Sequence, residues 1–224
     1  MEFFVTGTDT GCGKTLVTLG LMERLHRSGG RVAGMKPVAA GAAQTPEGLR
    51  NDDALAIQAL CHRPYPYERV NPCCLHTPAA PHLAAAAEGK PIDLEVILEA
   101  AETLRADSDH LVVEGAGGWR VPLTESADMA ELCRMLGLPV VLVVGLKLGC
   151  LNHALLSAES ILASGARLAG WVASSLAPAM PFEAENIATL RARLPAPFLG
   201  HVPWQARPEP GFTASRIELP GEES

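Results

Sequence analysis

Gly7-Thr8-Asp9-Thr10-Gly11-Cys12-Gly13-Lys14-Thr15 lies between the apolar run Phe3-Phe4-Val5 and a helix-like stretch over residues 16–26. Strand, glycine-rich turn and helix in that order read as a phosphate-binding loop. Glycines let successive backbone N–H groups close around phosphate oxygens, and the helix start adds partial positive charge. Lys14 is then in position to reach the β- and γ-phosphates, and the Thr15 hydroxyl to ligate magnesium. Gly11, Cys12, Gly13 and Leu16 complete the expected cradle. The spacing is unusual, because five residues separate Gly7 from Gly13 where four are usual, and Thr8 stands at the expected glycine position. The order of elements outweighs this departure, so a nucleoside triphosphate, ATP in the first instance, is the expected ligand.

Outward from the loop, strand-like runs cover residues 3–5, 31–35, 110–113, 140–144, 168–173 and 198–202. Helical periodicity covers 15–27, 52–61, 94–105, 129–135, 152–163 and 184–193. The alternation predicts an α/β fold: a single doubly wound domain over residues 1–224, a mostly parallel sheet with helices on both faces, of phosphate-loop NTPase type. Val140-Val141-Leu142-Val143-Val144 has no polar alternation and is expected near the sheet centre, covered on both faces. Residues 64–81 read as an irregular proline-rich connection. The proline-rich tail, 203–224, reads as a loop that wraps the domain or frays.

A chain of 224 residues is long enough for one sizeable core. A formal net charge of -7, 4% aromatic residues and no lysine or arginine run argue against nucleic acid or an anionic membrane as the main partner. The six cysteines form no Cys-x-x-Cys pair and are expected to be reduced thiols. The N-terminus has no basic stretch followed by a long apolar core, so a soluble, cytoplasmic protein is expected.

In open α/β sheets ligands bind beyond the carboxyl ends of the strands. Lys36 ends the second strand-like run, where its ammonium suits charge developing on a transferring phosphoryl group. Glu114 ends the run 110–113 and opens Gly115-Ala116-Gly117, the placement of a magnesium-directed carboxylate, with glutamate for the commoner aspartate. Asn51 or Asp52 is expected to cap the following helix, and Asp53 to face either the metal or solvent. The segment Leu148-Gly149-Cys150-Leu151-Asn152 opens a helix after the central strand, where free N–H groups suit a carboxylate or phosphate. Cys150 has no base beside it in the sequence and reads as a packed neutral thiol.

These motifs together resemble the dethiobiotin synthetase family from Phe4 to about Pro208. The resemblance rests on Thr6-Gly7-Thr8-Asp9-Thr10, Gly13-Lys14-Thr15, Lys36-Pro37-Val38-Ala39, Val70-Asn71-Pro72, Glu114-Gly115-Ala116-Gly117-Gly118-Trp119, Lys147-Leu148-Gly149-Cys150 and Pro203-Trp204. It implies an enzyme of biotin synthesis that joins carbon dioxide to 7,8-diaminononanoate with ATP and magnesium, through a carbamate and a carbamic-phosphoric anhydride. It further implies a homodimer with a shared substrate site. By the same resemblance Lys14 and Lys36 are catalytic, Thr15, Asp53 and Glu114 hold magnesium, and Thr10 and Ala40 line the substrate site. Residues 148–152 then receive the substrate carboxylate across the dimer.

Three departures stand out. Gly11 replaces a frequent acidic residue, Ala40 a serine, and Ser174-Ser175 an Asn-Asp pair that reads adenine. The last leaves the base preference open, with Pro203, Trp204 and Gln205 on the other side of the base. A partner-regulated ATPase of the septum-site or plasmid-partition type would carry a further lysine early in the loop, where Thr8 stands. An amidotransferase-type ligase of cobalamin synthesis would need an added glutaminase domain.

Overall fold

In the computed structural model, which describes residues 1–221, the elements run in the order the alternation requires, with several short additions. They are β1 (Glu2–Gly7), α1 (Lys14–Arg27), β2 (Val32–Met35), β3 (Val38–Ala39), β4 (Ala43–Thr45), β5 (Gly48–Arg50), α2 (Asp52–Ala59), α3 (Tyr67–Val70), β6 (Cys73–Cys74) and α4 (Pro81–Glu88). There follow α5 (Leu94–Ala106), β7 (His110–Gly118), α6 (Met129–Leu136), β8 (Val140–Leu146), α7 (Cys150–Ala163), β9 (Leu168–Ser175), α8 (Glu183–Arg193), β10 (Phe198–Val202) and α9 (Pro210–Ala214). Among the described residues the main sheet has six strands in the order β10-β9-β8-β1-β7-β2. Every pairing in it is parallel.

β1 lies between β7 and β8, which come much later in the chain, so the strand order reverses there and a crevice opens beyond its carboxyl end. That is where the phosphate loop begins. All seven residues of β8 are buried, as a valine-rich apolar run covered on both faces requires. Three helices start on side-chain caps: Asn51 accepts the Ala54 N–H, Asp93 those of Glu95 and Val96, and Asp128 that of Glu131. Each cap satisfies an N–H that the helix itself leaves unpaired. Among the described residues no helix is long and apolar enough to cross a membrane.

Three expectations are corrected. β7 does not stop at residue 113. It stays paired with β1 past an irregularity, through Val5 opposite Glu114 to Gly7 opposite Gly118, so Glu114 is a buried residue inside a strand. The stretch 64–81 contains α3 and β6, the latter pairing with β3, and Pro81 opens α4, its fixed φ suiting the first helical position. The tail is more than a loop: α9 lies on α1, where Arg27 donates to the Gly211 carbonyl at 3.3 Å. Beyond it Ile217 and Leu219 are each 2% exposed, and Gly200 bridges to Ile217. Residues 222–224 of the expected tail lie outside the described residues.

Candidate active site

The phosphate loop is fixed at both ends. Gly13 has φ 92 and Gly11 φ 71, left-handed values that a side chain would strain. A Cβ on Gly13 would also overlap the Ser174 side chain, so the loop closes against the end of β9. Thr8, the departure from the usual pattern, has its own task. Its N–H donates to the Val143 carbonyl at 2.9 Å, and its hydroxyl accepts the Gly145 N–H at 3.3 Å, which pins the loop to β8. Lys14 is buried, and its Nζ donates to the Asp9 carbonyl at 2.9 Å. The Asp9 carboxylate pairs with Lys147 at 2.6 Å, and that hydrogen bond, with one from the Thr10 N–H, holds the carboxyl below its usual range.

Beside the loop, three expected residues meet. Lys36 follows β2 directly, and its Nζ lies 2.5 Å from Glu114 Oε1 and 3.1 Å from Asp53 Oδ2. Thr15 Oγ1 donates to the same Glu114 oxygen at 3.0 Å. Burial alone would lower the Lys36 pKa, but the Glu114 and Asp53 charges outweigh it and hold it above the ordinary lysine value. Glu114 Oε2 is buried without a hydrogen-bond partner, an expensive state for a carboxylate oxygen. Among the described residues no three His, Cys, Asp or Glu side chains gather as a metal site. Two carboxylates and a hydroxyl, all hard oxygen donors and one of them unsatisfied, nevertheless match magnesium completed by phosphate and water. Thr15, Asp53 and Glu114 therefore fit that ion.

The Lys36 backbone has a support that local sequence reasoning did not single out. Asn71, 2% exposed, donates from Nδ2 to the Lys36 carbonyl at 2.6 Å. Tyr67 donates its hydroxyl to Asn71 Oδ1 at 2.9 Å and accepts the Asn51 N–H at 2.8 Å. One chain of hydrogen bonds thus links the lysine to the start of the helix that carries Asp53. Its only sequence signal was the Val70-Asn71-Pro72 landmark.

A cavity of about 520 Å³ opens here, its lining including Thr10, Lys36, Ala40, Asp53, Ala116 and Gly117. The expected substrate residues Thr10, Lys36 and Ala40 are thus brought together. The remaining wall includes residues 78–81 at the start of α4, which sequence reasoning missed because prolines hid the helix behind them. Leu148, Gly149, Cys150 and Asn152 do not line this cavity. Gly149 takes φ 95 before α7, Cys150 is buried, Asn152 is exposed, and Leu148 is 98% exposed.

At the far side of the loop, Ser174 is 3% exposed against Gly13. Ser175 Oγ lies 2.8 Å from both Glu183 Oε2 and His201 Nε2. Pro203 is half-buried and Trp204 is 42% exposed. The Gln205 amide is occupied with α9, donating to Thr213 Oγ1 at 3.2 Å and accepting the Glu209 N–H at 2.9 Å.

A parallel sheet with a glycine-rich loop feeding a helix beyond its central strand defines a phosphate-loop NTPase. Solved structures agree on that fold. The MinC:MinD cell division complex of Aquifex aeolicus matches at TM-score 0.55 and 16% identity, over 96% of this chain and 85% of that one. Cell division protein FtsY of Thermotoga maritima matches at TM-score 0.55 and 16% identity, over 96% and 67%. A family profile described as an AAA domain matches residues 1–210. The ATP-dependent dethiobiotin synthetase BioD of Xanthomonas oryzae pv. oryzae (strain PXO99A) is 48% identical over 218 residues, 97% of each chain. The protein of that name from Pseudomonas paraeruginosa (strain DSM 24068 / PA7) is 50% identical over 218 residues, 97% of this chain and 96% of its own. The chain belongs to the ATP-dependent dethiobiotin synthetase family.

Proposed function

We propose that this protein, as one nucleotide-binding ligase domain, closes the ureido ring of dethiobiotin from 7,8-diaminononanoate, carbon dioxide and ATP, releasing ADP and phosphate. The observation that carries the reading is the meeting of Lys36, Glu114, Asp53 and Thr15 between the phosphate loop and a cavity of about 520 Å³. One substrate amine takes up carbon dioxide as a carbamate, whose oxygen attacks the γ-phosphorus of ATP and displaces ADP. The second amine then attacks the mixed carbamic-phosphoric anhydride and expels phosphate. Lys14 and Lys36 hold the γ-phosphate and carbamate oxygens together and oppose the charge that builds on them. Thr15, Asp53 and Glu114 hold magnesium, which neutralises phosphate charge when bound. No protein nucleophile is needed, in keeping with Cys150 buried at the start of α7.

Residues 148–152 serve the site of a second subunit. An exposed helix start suits the substrate carboxylate, and Leu148 at 98% exposure offers apolar surface for a homodimer. The reaction runs in the cytoplasm, without nucleic acid or membrane partners. The test is ADP release, which must depend strictly on both the diamine and bicarbonate. Release stimulated instead by DNA or lipid vesicles would favour the switch-type ATPase.

A further inference from the structure

The main-sheet pairing of β2 ends with Met35 opposite Val113, one residue short of Lys36. What holds the Lys36 backbone instead is the end of α3. Its N–H donates to the Val70 carbonyl at 2.8 Å, and its carbonyl accepts the Asn71 side-chain amide at 2.6 Å. Both polar atoms of that buried side chain are in use, since Nδ2 also donates to the Cys73 carbonyl at 3.3 Å while Oδ1 accepts from Tyr67. The amide can therefore sit only one way round, because a flip would set its oxygen against two carbonyls. Burial pushes the Tyr67 phenol up from its ordinary value, so its hydroxyl stays protonated and able to donate. The same hydroxyl accepts the N–H of Asn51, which caps α2.

Lys36 and Asn51, the two ends of this relay, line the cavity beside Asp53, whereas Asn71 and Tyr67 do not. Glu114 is fixed independently, inside a strand paired with β1. Lys36 and Asp53 lie on segments outside that sheet, yet they meet at 3.1 Å. We propose that Asn71, steadied by Tyr67, is a positioning residue for phosphoryl transfer, setting the Lys36 ammonium against Asp53 and Glu114 and so against the reacting phosphate. A reacting group misplaced by about 1 Å can cost about a hundredfold in rate, so two hydrogen bonds that never touch substrate bear on kcat. The inference rests on the synthetase reading of this site and deepens it.

Two variants of the full chain test it. Tyr67→Phe keeps the ring and its stacking with Arg50, 4.2 Å from the ring centroid, and removes only the hydroxyl; Asn71→Ala removes the amide. Assayed below its melting midpoint, each folded variant should lower kcat by about tenfold or more and leave KM for ATP and for the diamine within about threefold of wild type. In a Lys36→Ala background the same substitutions should change the residual rate by less than about twofold, because the group they position is gone. A merely structural role would lower the rate by the same factor in both backgrounds. A magnetic-resonance measurement on protein with isotope-labelled lysine needs no turnover. The Lys36 ammonium, identified by its loss in Lys36→Ala, should exchange protons with solvent about tenfold faster in Tyr67→Phe than in wild type. Wild-type kcat in the folded variants, equal rate losses in both backgrounds, or unchanged ammonium exchange would each overturn the proposal. Wild-type protein that forms no dethiobiotin would refute the synthetase reading alone, since the exchange measurement still decides the positioning.

Discussion

Lys36→Ala has two consequences that the structure separates. The first is on stability. The substitution leaves the Glu114 carboxylate, 0% exposed, with the Thr15 hydroxyl as its remaining partner. Breaking a buried ion pair from one side costs about 3–5 kcal/mol. Asp53, with a side chain 43% exposed, adds less than about 1 kcal/mol. For a chain of this size the melting midpoint should fall by about 6–20 °C. The second is on catalysis, where loss of the ammonium should lower kcat by about a hundredfold or more. Adding Glu114→Gln removes the stranded charge, so the double variant should recover much of the stability and none of the activity. Thermal melts paired with product assays at a temperature below every midpoint give both numbers. A Lys36→Ala midpoint within about 1 °C of wild type would refute the buried-pair reasoning, and near-normal turnover would remove Lys36 from catalysis.

Glu114→Gln alone should weaken magnesium dependence and turnover together, because a neutral amide replaces a hard anionic oxygen; a wild-type magnesium titration would make Glu114 structural. Mixing inactive Lys36→Ala with inactive Asn152→Ala should regenerate activity through heterodimers with one intact shared site, and mixtures that stay inactive despite proven subunit exchange would overturn that arrangement. CTP should support turnover within about tenfold of ATP, or about 1.4 kcal/mol in transition-state binding, whereas a thousandfold preference for ATP would show that the serine-for-Asn-Asp exchange does not relax base choice. Deleting residues 208–224 removes the buried side chains of Ile217 and Leu219. That should lower stability by about 3–6 kcal/mol, at about 1.5–3 kcal/mol each, as a denaturant titration will report.

What the sequence made legible was local. The phosphate loop is written in one short glycine-rich stretch, and β8 in an apolar run without polar alternation, so both could be placed without the fold. Lys36 could be placed too, because Pro37 marks the end of its strand. Glu114 was assigned the right neighbourhood but the wrong setting, since Gly115-Ala116-Gly117-Gly118 suggests a turn while pairing with β1 keeps it extended. α4 and α9 both open with proline, which read as loop when it was a helix start. The Asn71 and Tyr67 support, and the cluster of Ser175 with Glu183 and His201, join residues from separate elements. The Ser175 and His201 pair alone spans 26 positions. No periodicity or spacing announces such contacts, because strand pairing creates them.

The most direct measurement is product formation from 7,8-diaminononanoate, labelled bicarbonate, magnesium and ATP, with wild-type protein and Lys36→Ala side by side. Wild type should incorporate one labelled carbon per ADP released into a product with the mass of dethiobiotin, and Lys36→Ala should bind ATP yet form that product about a hundredfold more slowly. ADP release without labelled product, or equal rates from the two proteins, would contradict the assignment of this site to ureido-ring closure.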